Sequence, residues 1–337
     1  MTKILFAALF FLTQFAHASP KTKLSETDLY LDLPSKNVDS KNRAFSPQYP
    51  LWTDGALKKR WIFLPVEQKI NSDDPNQWQF PVGTKIWKEF SFGSKRVETR
   101  LMEKTTEDEW EFATYLWNGA ETEATLAPED GVKDYYPVSN EMKHDIPSVT
   151  ECLRCHRKNS DPVLGFDAIQ LSDDRDPGAL HSESLPKDGW TLTKLISEKI
   201  LTNVAKEFEE GSPKIRASTP QGRTVLGYFH SNCASCHNPR GSAIPVNLNM
   251  HYDLGAASEK GTPTFVTTVN RINQVFTIPG MLQSFRIVPG NPELSSIPYQ
   301  MQNLGTGHMP AIGAKLIDSA AVMLVRQWIT TLTRQTP

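Results

Sequence analysis

Cysteine is almost absent from this sequence. The 337 residues contain four, and all four sit in two five-residue motifs. No thiol is left over for a separate disulfide framework or a further cysteine-rich metal site. Histidine is missing between His17 and His144. A histidine-built copper or zinc site within residues 19–140 is therefore excluded by composition. The formal net charge is only −2, so there is no strong positive field to attract nucleic acid or an anionic membrane. After the N-terminus no stretch reaches the roughly 20 apolar residues of a spanning helix. No internal repeat beyond the two motifs and no low-complexity tract is present. The 24 prolines and 22% charged residues suit a loop-rich globular chain rather than a disordered one. No carboxylate pair, nucleophile–base set or phosphate loop stands out. The Glu207-Phe208-Glu209-Glu210 run reads as a solvated helix end.

The two motifs carry the chemistry. They are Cys152-Leu153-Arg154-Cys155-His156 and Cys233-Ala234-Ser235-Cys236-His237. The C-x-x-C-H spacing lets two thiols form thioethers to the vinyl groups of one haem and places the next histidine to ligate the iron. Zinc binding, disulfide pairing and a thioredoxin-like redox site are the competing readings. The last needs a βαβ context that is not visible around either motif. Two complete matches that use every cysteine point to two covalently bound haems c. Cys152, Cys155, Cys233 and Cys236 are the expected attachment residues, and His156 and His237 the proximal iron ligands.

The N-terminus agrees with that reading. Lys3 gives a positive start, Ile4 to Phe15 is an apolar run broken only by Thr13 and Gln14, and Ala16-His17-Ala18 is an A-x-A cleavage site. An exported, periplasmic protein without a membrane span is expected, in the compartment where haem is attached covalently.

From about Tyr49 to Leu126 the pattern is β. Candidate strands are Lys59 to Leu64, Lys85 to Phe92, the alternating Val97 to Leu101, Trp110 to Trp117, and Glu123 to Leu126. Turn signals at Thr53-Asp54-Gly55, Asp73 to Asn76, Phe92-Gly93-Ser94 and Asn118-Gly119 separate them. Short strands at close spacing predict a β-sandwich or small barrel. Trp52, Trp61, Trp87, Trp110 and Trp117 read as its core, with an aromatic platform for a sugar or a protein as the alternative.

After residue 140 the patterns turn helical. Trp190 to Leu201 predicts an amphipathic helix, Thr224 to His230 leads into the second motif, and Ile317 to Leu332 closes the chain. From Pro220 to Thr331 the order of parts resembles the small monohaem cytochromes c. These have a helix bearing C-x-x-C-H, then a methionine loop, then a terminal helix with aromatics. The resemblance implies Met309, in Gly307-His308-Met309-Pro310, as distal ligand of the second haem, a thioether that raises the haem potential. His308 and Met250 remain alternatives. Arg286 is either a propionate partner or a solvated loop arginine. For the first haem the distal candidates are His181, His144 and Met142, with His181 ahead of His144.

The whole chain also resembles a family of exported di-haem cytochrome-c-domain proteins with an N-terminal β-rich region, mostly uncharacterised. The residues that carry the likeness are Tyr49-Pro50-Leu51-Trp52-Thr53-Asp54-Gly55-Ala56, Ile146-Pro147-Ser148, Val163-Leu164-Gly165-Phe166 and Gln170-Leu171-Ser172. The expected fold is multidomain α+β, with a β-sandwich-like domain followed by a mostly α-helical c-type cytochrome region. Its parts are a signal peptide (1–18), a β-rich domain (19–140), a first haem-binding segment (141–215) and a cytochrome c domain (216–337). The expected function is electron transfer with a redox partner protein, the β domain docking the partner or contacting a carbohydrate. The alternative is a di-haem peroxidase or oxidase with one five-coordinate haem.

Overall fold

The structure is a computed structural model, described here for residues 19–156, 161–243 and 246–333. The expected signal peptide, residues 1–18, lies outside the described residues. Strands dominate the first part of the chain and helices the second.

The main sheet has six antiparallel strands in the order β3-β4-β6-β7-β8-β9. They are β3 (Arg43–Ala44), β4 (Leu57–Phe63), β6 (Lys85–Phe92), β7 (Lys95–Lys104), β8 (Trp110–Trp117) and β9 (Ala124–Leu126). Side chains alternate between the two faces, and both faces are covered. On one face Trp61, Trp87, Leu101 and Ala113 stand opposite one another across four strands. With Tyr115 and Trp117 they pack under Leu24, Leu29, Tyr30 and Leu33. On the other face Ile62, Ile86 and Met102 meet Phe45, Trp78, Phe80, Phe166, Trp190, Leu192 and Leu195.

The second layer is therefore loops and a short helix, where a second sheet was expected. Among the described residues the remaining strands form only two-stranded ribbons. These are β1 (Tyr30–Asp32) with β2 (Asn37–Val38), β10 (Val132–Pro137) with β11 (Lys143–Ile146), and β5 (Ile70–Asn71) with β12 (Leu201–Thr202). The large aromatics of the segment after residue 161 cover the face that a partner sheet would take. Trp61, Trp87 and Trp117 are core residues, at most 9% exposed, and so form no platform. Strand structure also runs past residue 140, to Ile146.

The helices are α1 (Val149–His156), α2 (Leu192–Ser197), α3 (Lys206–Glu210), α4 (Pro220–Asn232), α5 (Pro263–Thr268), α6 (Ser296–Gln302) and α7 (Ser319–Thr331). The helix expected from Trp190 to Leu201 stops at Ser197. Lys199 takes a left-handed φ of 56°, and Leu201 then pairs in parallel with Ile70. A tertiary hydrogen-bond partner overrides local helical periodicity there. No helix among the described residues is long and apolar enough to cross a membrane.

α4 and α7 pack against each other through Val225, Phe229, Ala321, Val325, Trp328 and Ile329. The Phe229 and Trp328 rings meet edge-on, their centroids 6.3 Å apart. Trp328 Nε1–H donates to Glu259 Oε1 at 2.7 Å, and both residues are buried. Trp328→Phe keeps most of the ring but leaves that carboxylate oxygen short of a donor. It is expected to cost about 1–3 kcal/mol in chemical denaturation of the full chain.

Candidate functional site

Both motifs open into one cavity of about 1040 Å³ between the sheet and the helical part. That volume lies above the ~300–1,000 Å³ of ordinary ligand pockets. Cys155 Sγ and Cys236 Sγ approach to 3.8 Å, well beyond a disulfide bond. All four cysteines are free and half-buried.

Local sequence sets each motif in place. Ahead of the first, Ser148 and Glu151 form a reciprocal cap. The Glu151 carboxylate accepts from Ser148 N–H at 2.9 Å, and Ser148 Oγ accepts from Glu151 N–H at 3.1 Å. α1 then carries Cys152, Cys155 and His156. For the second, Thr219 caps α4 and Pro220 fills its first turn. α4 ends at Asn232, and His237 N–H returns to Cys233 O at 2.9 Å.

The two motif histidines are poised differently. His156 Nδ1–H donates to Pro162 O at 2.7 Å, which leaves Nε2 as the free ring nitrogen. Burial lowers its pKa to about 4, with Lys88 and Arg100 acting in the same direction. His237 Nδ1 is buried and has no hydrogen-bond partner among the described residues. Burial and Arg286 hold its pKa at about 4. Both therefore present neutral imidazole, the form that ligates iron. These features, with free thiols beside each histidine, fit covalent haem at both motifs. Among the described residues no three His, Cys, Asp or Glu side chains converge as a metal-ion cluster.

Met309 and His308 line the same cavity, and Met309 N–H donates to Gln300 O at 3.0 Å. Met250 is buried beneath the second motif, its N–H on His237 O at 2.8 Å. Arg286 is not solvated, and its buried Nε–H has no hydrogen-bond partner among the described residues. It is 5% exposed and donates to the carbonyls of Asn247 at 2.9 Å, Thr267 at 2.6 Å, and Val246.

The histidines expected beyond the first haem are committed elsewhere. His144 is 2% exposed, with Nδ1 3.2 Å from Asp54 Oδ2 and Nε2 3.0 Å from Glu98 Oε1. Burial works against its charge, but the two carboxylates outweigh it and raise the pKa. Neither nitrogen is left for iron. His181 Nε2 is 2.8 Å from Asp318 Oδ2, its ring lies against Trp52, and it is not among the cavity-lining residues. Met142 is half-buried at the end of the β10–β11 turn and is also outside the lining.

Three features escaped sequence reasoning. The first is His230, which lines the cavity together with His251, the ring centroids 4.8 Å apart. Tyr252 N–H donates to His230 Nδ1 at 3.2 Å, so Nε2 carries the proton and faces Asp167 Oδ2 at 3.4 Å. Burial and His230 lower the His251 pKa to about 4. His230 is three residues before Cys233, which was the available signal.

The second is the work done by the Tyr49–Ala56 stretch. Trp52 N–H donates to Asn232 Oδ1 at 2.7 Å, just before Cys233. Asp54 Oδ1 accepts from Lys315 N–H at 2.6 Å and Leu316 N–H at 2.8 Å, just after the Met309 loop. Tyr49 OH donates to Asp176 Oδ2 at 3.1 Å, and Tyr49 N–H to Gln170 Oε1 at 3.0 Å. The stretch thus pins both sides of the second motif to the sheet and to the middle segment. The third is a set of cations on the sheet face toward the cavity.

No family model, no curated protein and no solved structure matches this chain, so the likeness to di-haem cytochrome-c-domain proteins rests on the motifs quoted above.

Proposed function

We propose that the protein is an exported di-haem c-type cytochrome that transfers electrons, with both haems held in one cavity. The observation that carries this reading is the 3.8 Å approach of Cys155 Sγ to Cys236 Sγ, because attachment at both motifs then brings the two haems side by side. Haem bound there supplies a one-electron iron couple whose potential depends on the axial ligands and the burial of the site. The residues around it do the rest. His156 is oriented by Pro162 O, which fixes its tautomer. Met309 reaches the cavity from a loop anchored by Gln300 at one end and by Asp54, through Lys315 and Leu316, at the other. The sheet and the aromatic layer on it wall off water from one side of the site.

Met309→Ala is expected to abolish the weak near-infrared sulfur-to-iron band and to lower the potential of one haem. An unchanged band would move the ligand assignment to His308 or Met250.

The second reading, a di-haem peroxidase or oxidase, gains from a specific observation. His230, His251 and Asp167 line the cavity and offer proton-transfer groups, with His230 Nε2 facing Asp167 Oδ2 at 3.4 Å. Electron paramagnetic resonance of the oxidised protein separates the two readings. Electron transfer needs a distal ligand at each iron, and His251 is the cavity histidine proposed for the first haem, so two low-spin signals are expected, with one turning high-spin in His251→Ala and neither in His144→Ala nor in His181→Ala. A substantial high-spin signal in the parent, with turnover of hydrogen peroxide, would favour the enzyme instead.

A further inference from the structure

The sheet face that looks into the cavity carries cations in register. Arg60 on β4 stands directly opposite Lys88 on β6, Lys88 opposite Arg100 on β7, and Arg100 opposite Thr114 on β8. Directly opposed residues share one face, and these four line the cavity. Lys58, two residues before Arg60, adds another cation to that face. Like charges set directly opposite one another destabilise a sheet, and a poorly solvated ammonium without a counter-ion is costly. The row therefore needs negative charge nearby.

The protein itself supplies only part of it. Arg60 pairs with Glu183 at 2.5 Å. Arg100 makes a two-pronged contact with Glu98, at 2.5 and 3.0 Å. Lys58 Nζ donates to Ala56 O at 2.9 Å. Lys88, in the middle, is different. Among the described residues its ammonium makes neither a hydrogen bond nor an ion pair and only lies over the Phe90 ring, 4.9 Å from the centroid. Arg100 lies over the same ring at 4.3 Å. Burial, then Arg60, Lys58 and Arg100, push the Lys88 ammonium pKa well down, as expected where a counter-charge is missing. The row sits at the end of the cavity that holds the first motif, since the His156 ring lies 5.5 Å from that of Phe112, two residues before Thr114 on the same face of β8.

We propose that Lys88, flanked by Arg60 and Arg100, is a carboxylate-binding site in the cavity wall. Two sources share that chemistry. One is a propionate of haem attached at Cys152 and Cys155, which rests on the haem reading above. The other is a small free carboxylate entering the cavity, which does not.

The test uses the full haem-loaded chain, with Lys88→Met and Lys88→Arg beside the parent. The two midpoint potentials are measured by spectroelectrochemistry, and the unfolding temperature is titrated with malonate at constant ionic strength. If a propionate is the occupant, Lys88→Met shifts one potential downward while Lys88→Arg leaves it near the parent value, and malonate has no saturable effect on any of the three. If a free carboxylate is the occupant, malonate raises the unfolding temperature of the parent and of Lys88→Arg saturably. Lys88→Met then weakens that response about tenfold or more, the factor associated with one charge-assisted hydrogen bond. Unmoved potentials together with no malonate effect in the parent would overturn the proposal. So would conversion of one haem to high spin in Lys88→Met, which would make Lys88 an iron ligand. Should Lys88→Met fail to fold, the parent's malonate titration and the potentials of Lys88→Gln decide the question in the same way. Absence of haem from the parent, seen by pyridine haemochrome analysis, would sink the haem reading separately and leave the malonate titration to judge the free-carboxylate site.

Discussion

Replacing Cys233 and Cys236 together by alanine is expected to remove one haem per chain and leave the other attached. The two motifs are complete and separate in sequence, so under the proposed reading each would supply its own thioethers and histidine. Pyridine haemochrome analysis should fall from two c-type haems per chain to one, and the reciprocal pair, Cys152→Ala with Cys155→Ala, should do the same. The remaining haem should not behave as in the parent. Cys155 Sγ and Cys236 Sγ are 3.8 Å apart in one cavity, so emptying one site exposes the other to water. The surviving haem should show a shifted potential and a shifted visible spectrum. Zinc and no haem iron in the parent protein would defeat the whole reading.

Asp54→Ala is expected to be the most damaging single substitution outside the motifs. Asp54 is 5% exposed and joins three parts of the molecule. It accepts from Lys315 and Leu316 behind the Met309 loop and faces His144, which in turn faces Glu98 on β7. Removing it leaves the buried His144 ring with one carboxylate in place of two. Breaking one partner out of such a buried set costs about 3–5 kcal/mol. Denaturant unfolding of the full chain measures this, and the near-infrared band reports whether the Met309 loop has moved. Asp54→Asn keeps an acceptor for the two backbone N–H groups and should cost less.

The same cluster sets a pH dependence. Burial would raise the Glu98 carboxyl, but Arg100 and His144 outweigh it and bring its pKa down to about 2. Asp54 is likewise lowered, with His144 and the two backbone N–H groups outweighing its burial. Folded-state values below the unfolded ones of roughly 3.9 to 4.3 mean that these carboxylates stabilise the fold fully above that range. Their contribution is lost as pH falls toward about 2. His144 has the opposite sign. Its raised pKa gives a contribution that is full below about 6.5 and is lost as pH rises through the raised value. The stability gap between the parent and Asp54→Asn should therefore be widest between about pH 4 and 6.5. A gap that does not change between pH 3 and 9 (about the range accessible to such titrations) would show that Asp54 acts only through its backbone hydrogen bonds.

The sequence by itself located five of the six strands of the main sheet, missing only the two-residue β3, and it carries the haem expectation for the two motifs. Lys85–Phe92 and Trp110–Trp117 fall where alternation and turn residues put them, because a half-buried strand is written in a two-residue period. The C-x-x-C-H spacing needs no tertiary information, since thiols and imidazole lie within one helical turn or the loop that follows it. What covers the sheet was decided only by tertiary structure. Phe166, Trp190 and Leu195 replace a second sheet, and an aromatic's partner is not encoded in its neighbours along the chain. The same holds for Leu201, which leaves a helical pattern to pair with Ile70, far earlier in the chain. Histidine identity was legible too, but histidine function was not. His144 and His251 both line the cavity, yet carboxylates from Asp54 and Glu98 hold His144, as one from Asp318 holds His181. Whether an imidazole is free for iron depends on what faces its two nitrogens, and here those groups come from segments far away in sequence. The cation row has the same origin. Arg60, Lys88 and Arg100 are three separate charges along the chain, and only the strand register sets them directly opposite one another at the cavity wall.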